Sequence, residues 1–216
     1  MTAPMKDKPI LFSTPMVQAI LDDRKIKTRR VIKGMGNKMH YDRLLGDWGL
    51  SDPPELIDGV LRWRLQTDVD DDRMFEVECP WKVGQTLWVR ETWQQGESEY
   101  LYLEKMLRDG VIYTDLDDDP IKWKPSLFMP KDAARIFLKV KSIRVERLQD
   151  ITEEDARAEG IKGIPRSREL SPMDDYIYPF KQLWDGLNSK RGYGWDVNPW
   201  VWVIEFERVE EPSNAP

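Results

Sequence analysis

Seven basic residues lie between Arg24 and Lys38 with no acidic residue among them: Arg24, Lys25, Lys27, Arg29, Arg30, Lys33 and Lys38. In a chain of formal net charge −6 this is a local asymmetry. Such a density of cations suits contact with phosphate or with the polar edge of a nucleobase. A strand edge guarded by solvated lysines has the same composition, and on charge alone that is the plainer explanation. Other reactive chemistry is sparse. One histidine, His40, and one cysteine, Cys79, cannot build the usual zinc set or a convincing Ser-His-Asp or Cys-His pair, so no metal and no cofactor is expected. Ten tryptophans can fill a core or stack on flat bases. Trp88, Trp93 and Trp195 are the candidates for a pocket wall. The stretch Lys190-Arg191-Gly192-Tyr193-Gly194-Trp195 reads either as a lid or single-strand contact through Arg191 and Trp195, or as a connection leading Trp195 into the core.

The elements that must position these groups are short. The 216 residues, 40% apolar and 11% aromatic, suffice for one domain with insertions. Pro9 to Ser13 reads as a strand, followed by a helix with Thr14 as cap and Pro15 in its first turn, running to about Asp23. Arg24 to Lys33 turns strand-like towards its end. From about 34 to 75 periodicity disappears, and glycine, Pro53-Pro54 and the acidic run Asp68 to Asp72 indicate an insertion with one hairpin. After a turn at Val83-Gly84-Gln85, Thr86 to Glu91 alternates with period two. A second insertion, about 97 to 125, carries the acidic run Asp115 to Asp119. Arg135 to Val145 is the strongest strand, with Ile136, Leu138 and Val140 on one face, Phe137, Lys139 and Lys141 on the other, and room for a bend at Ser142. Thr152 opens a short helix that Gly160 stops. Asp174 to Asn188 is a helix with Ile177, Phe180, Leu183, Trp184 and Leu187 as its apolar stripe, and Trp200 to Phe206 is a closing strand. The fold class is mainly β with short helices (α+β), residues 1–211 forming one domain and 212–216 a disordered tail. No segment approaches membrane-spanning length, and the apolar run at the N-terminus is too short for a signal peptide, so a cytoplasmic protein is expected.

Asp23-Arg24-Lys25-Ile26-Lys27-Thr28-Arg29-Arg30, placed after a short helix, resembles the G-x-K-x-x-[E/T]-x-R signature of ASCH domains. Val83 to Val89, Ile136 to Val145, Leu148 to Gly160 and Trp202 to Phe206 follow in that family's order. The chain is most similar to the longer ASCH-like proteins of bacteriophages and prophages, in a bacterial host's cytoplasm. The resemblance implies a PUA-like small β-barrel with flanking helices and a cleft for a nucleobase or nucleotide. Asp23 replaces the usual glycine. Thr28, where many members carry glutamate, is similar to the small bacterial amidohydrolases acting on N4-acetylcytidine. Their lysine, threonine and glutamate fall on Lys25, Thr28 and Glu159, with Asp155 or Glu154 as the carboxylate if the alignment shifts.

In that arrangement the Thr28 hydroxyl attacks an acyl carbon and a partly neutral Lys25 accepts its proton. Glu159 orients or protonates the leaving nitrogen. Arg24, Arg29 and Arg30 would depress the Lys25 pKa by repulsion, and Arg30 could hold a carbonyl or phosphate oxygen. Residues three apart on one strand face opposite ways, so a turn must separate Lys25 from Thr28. Plainer roles compete: Thr28 as a β-branched strand residue, Lys25 as a solvated cation at a helix end, Glu159 as a surface helix residue. The partner is then a nucleoside or nucleic acid, RNA or modified DNA, contacted by Arg24, Lys27, Arg29, Arg30, Trp88, Trp93, Arg191 and Trp195. A non-catalytic reader of RNA or of a modified base, and a phage protein binding a host protein through its acidic insertions, are the competing expectations.

Overall fold

The geometry of the basic stretch follows from how the first helix ends. In the computed structural model, which describes residues 5–33, 55–65, 73–97, 99–110, 121–164 and 174–211, helix α1 spans Thr14–Leu21. Ser13, extended at φ −73°, ψ 157°, is the capping residue, and Pro15 sits in the first turn, where a missing N–H costs nothing. Thr14 is thus inside the helix and not its cap. Asp23 then adopts the left-handed conformation at φ 55°, which aspartate tolerates better than most residues. The N–H groups of Arg24 and Lys25 both return to the Ala19 carbonyl, at 2.9 and 3.0 Å. Strand β2, Lys27–Val31, begins only after this. Strict alternation therefore does not apply between Lys25 and Thr28.

The protein is of mixed α+β type. The described residues contain ten strands and four α-helices and divide into two compact units, Met1–Ile26 with Gly84–Lys141 and Phe206–Pro216, and Lys27–Val83 with Ser142–Glu205. In the first unit β1 (Lys8–Leu11) runs parallel to β6 (Thr86–Arg90), and β6 pairs antiparallel with β9 (Phe137–Arg147), Leu87 opposite Leu138. Gly84, at φ 81°, makes the tight turn into β6, its N–H donating to the Val140 carbonyl at 2.8 Å. Ile136, Leu138 and Val140 are buried as one face. Phe137 is buried as well, whereas Lys139 and Lys141 are exposed. The strand passes Ser142 without interruption. β7 (Trp93–Gln95), just before the second insertion, pairs with β8 (Tyr100–Tyr102) inside it, and α2 (Leu103–Asp109) ends at Gly110.

In the second unit β2 pairs antiparallel with β10 (Trp200–Val209), Thr28 opposite Ile204 and Arg30 opposite Trp202. The order β1-β6-β9-β10-β2 leaves β2 at the end of the five-stranded sheet. The first insertion holds more order than one hairpin: β3 (Glu55–Ile57), β4 (Val60–Leu65) and β5 (Arg73–Glu78) form a three-stranded antiparallel sheet. Helix α3, Glu153–Ala158, is capped by Thr152, whose Oγ1 accepts the Asp155 N–H at 3.1 Å, and Gly160 at φ 85° ends it. Helix α4, Asp174–Asn188, buries Phe180 and Trp184 against Val201, Val203, Leu148 and Ala156. Leu187, assigned to its apolar stripe, is 55% exposed. His40, both acidic runs and the tail lie outside the described residues. Among the described residues no helix is long and apolar enough to cross a membrane.

Candidate functional site

Alternation along β2 sorts the basic stretch into two faces: Lys27, Arg29 and Val31 on one, Thr28 and Arg30 on the other. Val31 packs on the α4 core, so Lys27 and Arg29 face the helices of the second unit. There the Arg29 guanidinium, fully buried, meets three carboxylates. Its Nε donates to Glu146 Oε1 at 3.1 Å, its Nη2 to the same oxygen and to Asp155 Oδ2 at 2.8 Å, and its Nη1 to Glu159 Oε1 at 3.3 Å. The Phe180 ring lies 6.0 Å from it. Lys27 Nζ donates to Asp155 Oδ1 at 2.8 Å, and Arg144 bridges Glu146 Oε2 at 3.0 Å and Asp155 Oδ2 at 3.1 Å. Burial alone would raise the Asp155 carboxyl. The hydrogen bond from Lys27 and the charge and hydrogen bond of Arg29 outweigh it and hold the group down at about 2.

The three residues assigned to catalysis are nearly sealed from solvent: Lys25 is 3% exposed, Thr28 4% and Glu159 5%. Lys25, in the first unit, is not the solvated helix-end cation of the plainer account; its Nζ lies 5.5 Å from the centroid of the Phe12 ring. Glu159, at the C-cap of α3, is no surface helix residue. Thr28 does occupy a regular strand position, as a β-branched residue would. The three possible carboxylates separate clearly. Glu154 is exposed. Asp155 is committed to Lys27, Arg29 and Arg144. Glu159, one turn beyond Asp155 on the same helix face, bonds Arg29 and also acts on Arg30, whose pKa burial lowers and whose charged form Glu159 favours. It influences cations on both faces of β2. Arg24 is partly exposed and donates to Asp22 Oδ2 at 3.1 Å.

The aromatic candidates are placed differently. Trp88 is buried with the Arg90 guanidinium 4.6 Å from its ring centroid. Trp93 is buried with the Lys124 ammonium 4.8 Å from its ring, and Tyr100 lies edge-on at 5.7 Å. Trp195 is half-buried, edge-on to Phe180 at 6.3 Å, with its backbone N–H donating to Asp185 Oδ1 at 2.6 Å. The stretch from Lys190 to Trp195 is an ordered connection, fastened where Trp184 Nε1 donates to the Tyr193 carbonyl at 2.8 Å. Arg191 on it is exposed.

Two features escaped the sequence. Arg144 and Glu146 alternate with Ile143 and Val145 in β9 and so read as a solvent face, yet they complete the Arg29 cluster. In the first unit Arg135 binds two buried carboxylates, Glu91 at 2.9 and 2.8 Å and Glu104 at 3.0 Å, with Arg108 also on Glu104 at 2.8 Å. Burial pushes the Glu91 carboxyl up, opposed by Arg135 and reinforced by the Glu104 charge. No group of three or more His, Cys, Asp and Glu side chains among the described residues could hold a metal ion.

No family model matches the chain, and no curated protein matches it. Among solved structures it is similar to a protein from Enterococcus faecalis V583 described by the family model DUF984, at 8% identity and a TM-score of 0.42, covering 99% of this chain and 87% of that one.

Proposed function

We propose that the chain is a nucleobase-recognising protein of the ASCH/PUA-like kind, with the small barrel of that fold, and that it hydrolyses amides of the N4-acylcytidine class. The observation that carries this reading is the burial of Glu159 beside the basic strand, where it bonds Arg29 and acts on Arg30. Burying a carboxylate at a helix end is costly unless it is paired, and this one sits in the same unit as the equally buried Thr28.

The chemistry runs as an acyl transfer. Thr28 Oγ1 attacks the acyl carbonyl carbon while Lys25, as the neutral amine, takes the hydroxyl proton. The C–N bond then breaks. The same proton passes to the departing exocyclic nitrogen, which the Glu159 carboxylate orients, and free cytidine leaves. Water hydrolyses the acyl ester on Thr28, releasing the acid. Arg30, on the Thr28 face of β2, holds a substrate oxygen. Each proton-transfer role contributes about 10²–10⁴-fold. Incubation with N4-acetylcytidine should therefore release cytidine, and Thr28→Ala or Lys25→Ala should lower the rate by at least about 10²-fold. Unchanged rates in both variants remove this mechanism. Salt-sensitive RNA binding by a wild-type protein that never turns substrate over makes it a reader.

A further inference from the structure

Two apolar side chains stand outward, side by side, on the first unit. The 3-10 turn Ser126–Phe128 leaves Leu127 57% and Phe128 69% exposed, the latter the most exposed large apolar side chain among the described residues. The turn is firmly held. Phe128 N–H donates to the Pro125 carbonyl at 3.0 Å, and Arg90 Nη1 donates to the Leu127 carbonyl at 3.1 Å. The next residue, Met129, is buried, its sulfur accepting the Glu91 N–H at 3.2 Å. The phenyl ring is therefore presented by an anchored backbone.

The run from Ile121 to Lys131 is cationic, between the acidic run Asp115 to Asp119 and Asp132. From Ile121 to Lys131 the chain carries Lys122, Lys124 and Lys131 and no carboxylate. Lys131 is paired with Asp7 at 2.7 Å. Lys122, Lys124 and Arg90 form no ion pair among the described residues. Trp88 and Trp93, which the sequence offers as stacking platforms, are buried and already carry Arg90 and Lys124 against their rings. Phe128 is the ring with open faces. A flat apolar group on a turn held by Arg90, in a segment whose Lys122 and Lys124 form no ion pair among the described residues, matches a polyanion whose bases are unpaired.

We propose that this turn is a contact for single-stranded nucleic acid, Phe128 stacking on a base while Arg90, Lys122 and Lys124 meet phosphates. The choice of partner rests on the nucleobase reading above and sharpens it: the natural substrate is a polymer and not a free nucleoside.

Fluorescence anisotropy with a short labelled single-stranded RNA tests this. Phe128→Ala is expected to weaken binding about tenfold, the scale of one stacked base. Phe128→Leu should lose as much, while Phe128→Trp keeps the affinity. Lys122→Ala with Lys124→Ala should flatten the salt dependence. Unchanged affinity in Phe128→Ala overturns the proposal, and so does full rescue by Phe128→Leu, which identifies an apolar protein-docking surface. Unaltered melting of Phe128→Ala shows that the fold is intact. Phe128-dependent RNA binding without deacylation of N4-acetylcytidine placed in that RNA sinks the hydrolase reading and leaves this surface standing. Cytidine release by a protein that binds no RNA does the reverse.

Discussion

Each unit gathers carboxylates around an arginine, and the two clusters treat their acids in opposite ways. Around Arg135 a single guanidinium serves Glu91 and Glu104, with Arg108 helping only Glu104. Burial wins, and the Glu91 carboxyl is pushed up. Around Arg29 three cations converge on one acid, Asp155, and desolvation loses, the carboxyl falling to about 2. Burial alone does not set the direction. The balance between the depth of burial and the cations aimed at the carboxylate does.

The most damaging way to break the comparison is to remove the fully buried cation. Arg29→Met should cost about 3–5 kcal/mol, because Glu146, Asp155 and Glu159 lose a shared partner in a desolvated place. Urea unfolding measures this, and a loss below about 1 kcal/mol would show that the carboxylates find water instead.

A subtler contrast lies in pH. The Asp155 carboxyl is depressed from its ordinary 3.8 to about 2, so its stabilisation is complete above 3.8 and disappears as pH falls through 2. Asp155→Asn should cost about 1–2 kcal/mol at neutral pH after solvent screening, and progressively less in acid. Glu91 is raised above its ordinary 4.5, so its ionisation opposes folding at neutral pH and that penalty fades as pH falls. Relative to Glu91→Gln, the wild-type protein should gain stability on acidification from neutral pH towards 4.5. Parallel pH profiles for the two variants would refute the contrast. The smallest effect should come from an exposed pair: Lys141→Ala, which breaks a 3.4 Å contact to Glu207, should change stability by less than about 0.5 kcal/mol.

What the sequence disclosed was governed locally. The cap at Thr152 and stop at Gly160, the full span of α4 and the apolar run that opens β10 arise from neighbours within a few residues, and local pattern reports such neighbours. The sheet β3–β4–β5 was hidden because its strands mix charge on exposed faces, Arg62 pairing across strands with Glu76 at 2.8 Å, and polar alternation resembles a loop. Lys25 and Glu159 are buried although their charge argued for solvent. Arg29 was read as a substrate contact, yet its partners lie 117 to 130 residues further along. Nothing near Arg29 announces them. The same holds for Trp88 and Trp93, whose type suggested stacking while cations from other segments or positions cover their rings.

The pairing of β2 with β10 has one further consequence. β2 stands last in its sheet, so hydrogen bonding along one edge alone would tolerate sliding. A slip of a single residue would exchange its faces, turning Lys27 and Arg29 away from the helices. The buried ions thus act as a key for alignment: the observed phase supplies two cations to the three carboxylates, whereas a one-residue shift supplies at most Arg30 and in the other direction only Thr28.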